Sequence, residues 1–80
     1  MITGLQIRAA RAMLGWTTAE IGERASVSKR TIERLEQASG VPESRTSTML
    51  GLQKVFEAAG IEFIGTPEDA PGVRLRSKPD

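Results

Sequence analysis

Residues 18–37, TAEIGERASVSKRTIERLEQ, constrain the fold more than any other stretch. They read as two short helices joined by a tight turn. Two helices that cross steeply over a few-residue turn need an apolar residue early in the first and a small residue at the contact. They also need a compact apolar turn and two apolar positions on the second helix. Ile21, Gly22, Ala25, Val27, Ile32 and Leu35 meet these needs in order. Ile21 and Ala25 point inward one turn apart, and Gly22 lets another element come close. Ser26 and Val27 make the turn, with Val27 as a buried plug. Ser28 is a good N-cap for the second helix, Lys29 to about Gln37. Ile32 and Leu35 form its inward stripe, so Lys29, Arg30, Glu33, Arg34 and Gln37 fall on the other side.

The flanking sequence supplies walls for this pair. Residues 3–14 form a first helix opened by a Thr3-x-x-Gln6 capping box. Leu5, Ala9, Ala12 and Met13 set its apolar face, widened by Ile7 and Leu14. Gly15 ends it in the left-handed conformation. Trp16, the only tryptophan, plugs the space between helices. Thr17 caps the next helix in a second box with Glu20. Residues 38–45, ASGVPESR, are a loop punctuated by Gly40 and Pro42. A fourth helix begins near Thr46 or Ser47 and ends at Ala58 or Ala59, with Met49, Leu52, Val55, Phe56 and Ala59 inward. After Gly60 the period changes. Ile61–Ile64 alternates as a strand, 65–72 (GTPEDAPG) reads as a loop too long for a two-residue turn, and Val73–Arg76 alternates again. On this second strand Val73 and Leu75 share one face, Arg74 and Arg76 the other.

Composition removes several function classes. Eighty residues make one small domain, for which a partner subunit adds useful buried surface. The chain has no Cys and no His, hence no thiolate or imidazole for metal binding, nucleophilic attack or the usual general base. Glu20 and Glu23 read as a cap and solvated surface rather than a catalytic pair. The chain is therefore expected to be no enzyme, with no cofactor, no metal and no small-molecule ligand, since so small a core spares no pocket. No apolar run approaches a membrane span of roughly 20 residues, and no leader is apparent, so a cytoplasmic location is expected. A net charge of +1 means that any nucleic-acid reading rests on where the cations sit, not on their sum.

The run W-T-T-A-E-I-G-E-R-A-S-V-S-K-R-T-I-E-R-L-E resembles the Cro/C1-type (XRE) helix-turn-helix family of phage-repressor-like transcriptional regulators. The likeness covers about residues 5–59. It implies a compact bundle of four or five helices, here with two short C-terminal β-strands. It also implies a homodimer on double-stranded DNA with the third helix in the major groove. Lys29, Arg30 and Arg34 stand at the family's base-reading positions. Ser28 and Thr31 stand where it contacts backbone or bases, Thr17 and Thr18 at its phosphate-clamping end, and Arg11 and Glu36 at a pair bridging helix one to the end of helix three. Two departures lie in the motif. Thr18 replaces a longer Gln. Ser26 replaces a Gly, implying about 1 kcal/mol of strain or a different turn.

Elementary recognition chemistry points the same way. Arg and Lys reach guanine O6 and N7, Arg with two parallel bonds. Helix N-termini favour phosphate, and Thr17, Thr18 and Ser28 cluster at two of them. Arg45 in the following loop is placed to meet the DNA backbone.

The strand-like end is the third departure from the resemblance. A pair of four-residue strands is marginal alone, yet Ile61, Phe63, Ile64, Val73 and Leu75 are too apolar to leave open. The expected solution is a sheet across a two-fold axis, making 61–76 the dimerisation element. The helix-turn-helix unit would then be 1–60 and residues 77–80 a tail. The alternative is a hairpin folded on its own helices, with the dimer formed elsewhere. The leading function is a sequence-specific regulator, expected to repress by occluding a promoter, of the kind found on mobile genetic elements. The runner-up is an antitoxin or adaptor that binds a partner protein through the strands or helix four.

Overall fold

The computed structural model describes residues 1–76, as α1 (Gly4–Leu14), α2 (Thr18–Ala25), α3 (Lys29–Glu36), α4 (Thr46–Ala58), β1 (Ile61–Thr66) and β2 (Asp69–Leu75). The fold is mainly helical, with one antiparallel hairpin at the end. Four helices form among the described residues, within the four or five that the resemblance implies, and the connection before α4 is irregular.

Local sequence signals set the helix ends. Thr3 and Gln6 make both bonds of the capping box, at 2.8 and 3.0 Å. Gly15 closes α1 with φ 69°. The Thr17–Glu20 box opens α2, both bonds at 3.1 Å. The Ser28 hydroxyl accepts the Thr31 amide at the start of α3. One core joins all six elements: Ile7, Ile21, Ile32, Leu35, Leu52 and Phe56 are fully buried, with Ile61 close behind.

The buried face of α1 differs from the expected one. Leu5 and Met13 are 51% and 42% exposed, whereas Gly4, Gln6, Ile7 and Ala10 are buried. Helix α1 is apolar almost all round, so its period allows two stripes. Close approach decides between them. A Cβ on Gly4 would overlap the carbonyls of Leu35 and Ala38, so only the face with Gly4 and Ala10 can pack against the end of α3.

The hairpin also corrects the expectation of a long loop at 65–72. Strand β1 extends to Thr66 and β2 starts at Asp69, joined by Pro67 and Glu68 alone. The register runs from Ile61↔Leu75 to Ile64↔Gly72, then breaks before Thr66↔Asp69. Ala70 and Pro71 there oppose the single residue Gly65, which is a β-bulge. Gly65 (φ 75°) and Ala70 (φ 52°) both take left-handed backbone, and a Cβ on Gly65 would overlap the Ala70 carbonyl. Gly65 and Pro71 break a regular strand but suit a bulge, and this is why the segment reads as loop.

The strands fold back on their own helices, β2 along α1 and β1 along α4. Ile61 is 3% exposed and Phe63 meets Phe56 edge-on at 6.0 Å. Val73 and Leu75 are half-buried against the same core. Most of the apolar surface expected to need a partner is therefore covered within one chain, and Ile64 is the member left 38% exposed. Arg74 and Arg76 lie on the outer face and share Glu62. Such exposed pairs add little stability and discourage edge pairing.

Gln6 ties the two ends of the chain together. Its Oε1 accepts from the Thr3 amide, and its Nε2 donates to the carbonyls of Ile64 (3.1 Å) and Gly72 (2.9 Å), cross-strand partners beside the bulge. Gln6→Glu keeps the cap acceptor but places a carboxylate against two carbonyls. We expect a loss of about 2–3 kcal/mol in urea unfolding. A loss under ~0.5 kcal/mol would mean that the amide does not hold the hairpin.

Candidate nucleic-acid interface

Helix α3 is eight residues long, too short to persist alone, so its position is set by what grips it. Ile32 and Leu35 anchor its inner face, both fully buried. At its start, Gly22 of α2 lies against the turn, where a Cβ would overlap the Val27 carbonyl. Val27 is half-buried on the core, and its amide donates to the Gly22 carbonyl at 2.8 Å. Ser26 takes the left-handed conformation, φ 57° and ψ 43°. The turn thus keeps the geometry that glycine usually serves, with the strain expected of a Ser there.

Arg11 grips the far end of α3. Its Nε and Nη2 donate to the two Glu36 oxygens at 2.7 and 2.9 Å, and its Nη1 donates to the Trp16 carbonyl at 3.1 Å. One guanidinium therefore joins α1, the α1–α2 connection and the end of α3. The Glu36 side chain is 8% exposed and that of Arg11 23%. The hydrogen bonds to Glu36 raise the Arg11 pKa above its ordinary value. Burial opposes this, and the Glu36 charge reinforces it.

The outer face of α3 follows from 100° per residue. Opposite the Ile32–Leu35 stripe lie Arg30 and Gln37, with Glu33 and Lys29 toward one flank and Arg34 toward the other. Lys29 meets Glu33 at 3.9 Å, both side chains more than half exposed, a contact of little strength. Arg30 is exposed and makes no ion pair or side-chain hydrogen bond among the described residues. Arg34 turns aside, its Nη1 donating to the Glu43 carbonyl at 2.9 Å. The three cations grouped by the sequence thus share a face but not a situation.

The supporting residues sit at helix starts. Thr17 and Thr18 open α2, Thr17 exposed and Thr18 half-buried. Ser28 also donates its hydroxyl to Thr31 Oγ1 at 2.9 Å. Arg45 occupies the N-cap of α4, exposed, with no side-chain cap bond. Two arginines escaped the sequence reading. Arg8 lines a shallow groove between α1 and α3 together with Thr18 and Glu33; its spacing of three from Arg11 is the signal that places it there. Arg24 lies 4.3 Å over the Trp16 ring, which stacks at 5.9 Å on Phe56. Trp16 is the expected plug, half-buried against the core.

Among the described residues no group of three or more carboxylates could hold a metal ion. No helix among them is long and apolar enough to cross a membrane. A family model described as a helix-turn-helix domain matches residues 3–61, from the Thr3 cap to the first residue of β1. None of the curated proteins compared with the chain matches it.

Two stability effects follow. Glu36→Ala leaves the Arg11 guanidinium without its carboxylate and is expected to lower unfolding stability by about 2–3 kcal/mol. Arg11→Ala on that background should then cost much less than on the wild type; additive losses would mean the pair does not act as a unit. Ser26→Gly relieves left-handed strain and should stabilise by about 1 kcal/mol. A lower melting temperature for Ser26→Gly would contradict the strained turn.

Proposed function

Since the chain belongs to the helix-turn-helix domain family, a family of DNA-binding domains, we propose that it is a sequence-specific transcriptional regulator of Cro/C1 (XRE) type. It acts as a homodimer on a two-fold symmetric operator and represses by occluding a promoter. The observation that carries this reading is Arg30, a guanidinium with no ion pair or side-chain hydrogen bond among the described residues, opposite the buried stripe of a helix gripped at both ends. Inserted in a major groove, it donates two parallel bonds to guanine O6 and N7. Lys29, one residue nearer the helix start, reads the neighbouring base. Thr17, Thr18, Ser28 and Thr31 meet the sugar–phosphate chain, and Arg45 a phosphate beyond the helix. A net charge of +1 leaves little affinity for arbitrary DNA, so useful occupancy needs two half-sites.

Dimerisation is assigned to the hairpin. A two-stranded sheet has both outer edges unpaired. Pairing across a two-fold axis would build four strands and bring Ile64 against its copy, while Ile61, Phe63, Val73 and Leu75 support the interface from within.

The test is Arg30→Ala on a duplex taken from upstream of the gene. We expect specific binding to weaken by about 1–3 kcal/mol while binding to unrelated DNA changes little. Equal losses on both duplexes would place Arg30 on phosphate and remove the base-reading role. Ile64→Arg should turn a dimer into a monomer in light scattering; an unchanged mass would move the interface elsewhere.

A further inference from the structure

Arg34 lies on the same helix as the proposed base readers, but its chemistry is directed away from them. Its Nη1 donates to the carbonyl of Glu43, nine residues on, in the segment that joins α3 to α4. The first half of that segment is held by other means. The Ala38 amide donates to Leu35, the Gly40 carbonyl accepts from the Gly4 amide at 3.0 Å, and Pro42 is buried. In the second half, Glu43, Ser44 and Arg45 are exposed. Arg34 supplies the side-chain hydrogen bond that the structure records to these three residues. Arg45 follows two residues later, its backbone fixed by the start of α4 and its side chain free of any cap bond.

We propose that Arg34 is a positioning residue that works through the Glu43 carbonyl to fix residues 43–45, and so holds Arg45 against the DNA backbone, instead of reading a base. Carbonyl recognition suits this role, because the bond survives any change of side chain at residue 43. A planar guanidinium also spans the gap with a fixed donor geometry that an ammonium lacks. Sequence reading then falls to Lys29 and Arg30, at the helix start, where a recognition helix meets base edges. Arg34, later on α3 and toward the loop flank, sets how the backbone is clasped. This assignment rests on the proposed DNA-binding function.

The probe is a duplex enriched by the full wild-type chain from a randomised pool, with every single-base variant of its half-site. Arg34→Ala is expected to weaken binding to all of them by a common factor, about three- to tenfold. The profile of base preferences should stay unchanged. The slope of log affinity against log salt should become shallower by about one, as for loss of one phosphate contact. On an Arg45→Ala background the same change should have almost no further effect. A merely structural role would alter neither the salt slope nor the coupling to Arg45. In the free protein, amide exchange at residues 43–45 should rise in Arg34→Ala while exchange within α3 does not. Flattened discrimination at one base pair, or fully additive losses with Arg45→Ala, would overturn the positioning role and leave the DNA-binding function standing. A wild-type chain that enriches no duplex would overturn the function and this role with it.

Discussion

An eight-residue helix does not hold its own shape in water, because nucleation outweighs the few bonds it forms. That constraint governs this molecule. Every restraint on α3 comes from outside it: a glycine-backed turn at one end, an arginine–glutamate fork at the other, and Ile32 and Leu35 sunk in the core. The three restraints differ in kind. The three are side-chain burial, close backbone approach and a bidentate ion pair. The proposed reading of base edges, which works within hydrogen-bond distance, requires a helix held this firmly.

The C-terminal hairpin serves the same end from further away. It closes the bottom of the core with Ile61 and Phe63, and Gln6 fastens it to the first turn of α1. The first and last elements are thereby joined, and α1 in turn packs against α3. The bulge at Gly65 and Ala70–Pro71 keeps the two accepting carbonyls beside that glutamine.

Much of this was legible in the sequence. Both capping boxes, the left-handed Gly15, the Ser28 cap and the inward stripes of α3 and α4 are local chemistry and appear as read. The errors have physical causes. Helix α1 offers two apolar stripes, and only the clearance at Gly4 chooses between them. Gly65 and Pro71 mimic a loop because a bulge and a loop want the same residues. One contact was illegible rather than misread: the Arg34 guanidinium donates to a main-chain carbonyl, which no sequence pattern advertises. Arg30 and Arg34 share the outer side of the helix, and only the three-dimensional structure shows that Arg34 bonds a loop carbonyl while Arg30 has no such bond among the described residues.

Trp16 is the chain's single indole, and it lies between Phe56 and the Arg24 guanidinium. Phe56 in turn touches Phe63 of the hairpin. One native chromophore is thus wired to α2 on one side and, through a single ring, to the sheet on the other. Its emission reports loosening at either flank without an added dye, so the protein carries its own optical gauge of whether its two halves move together.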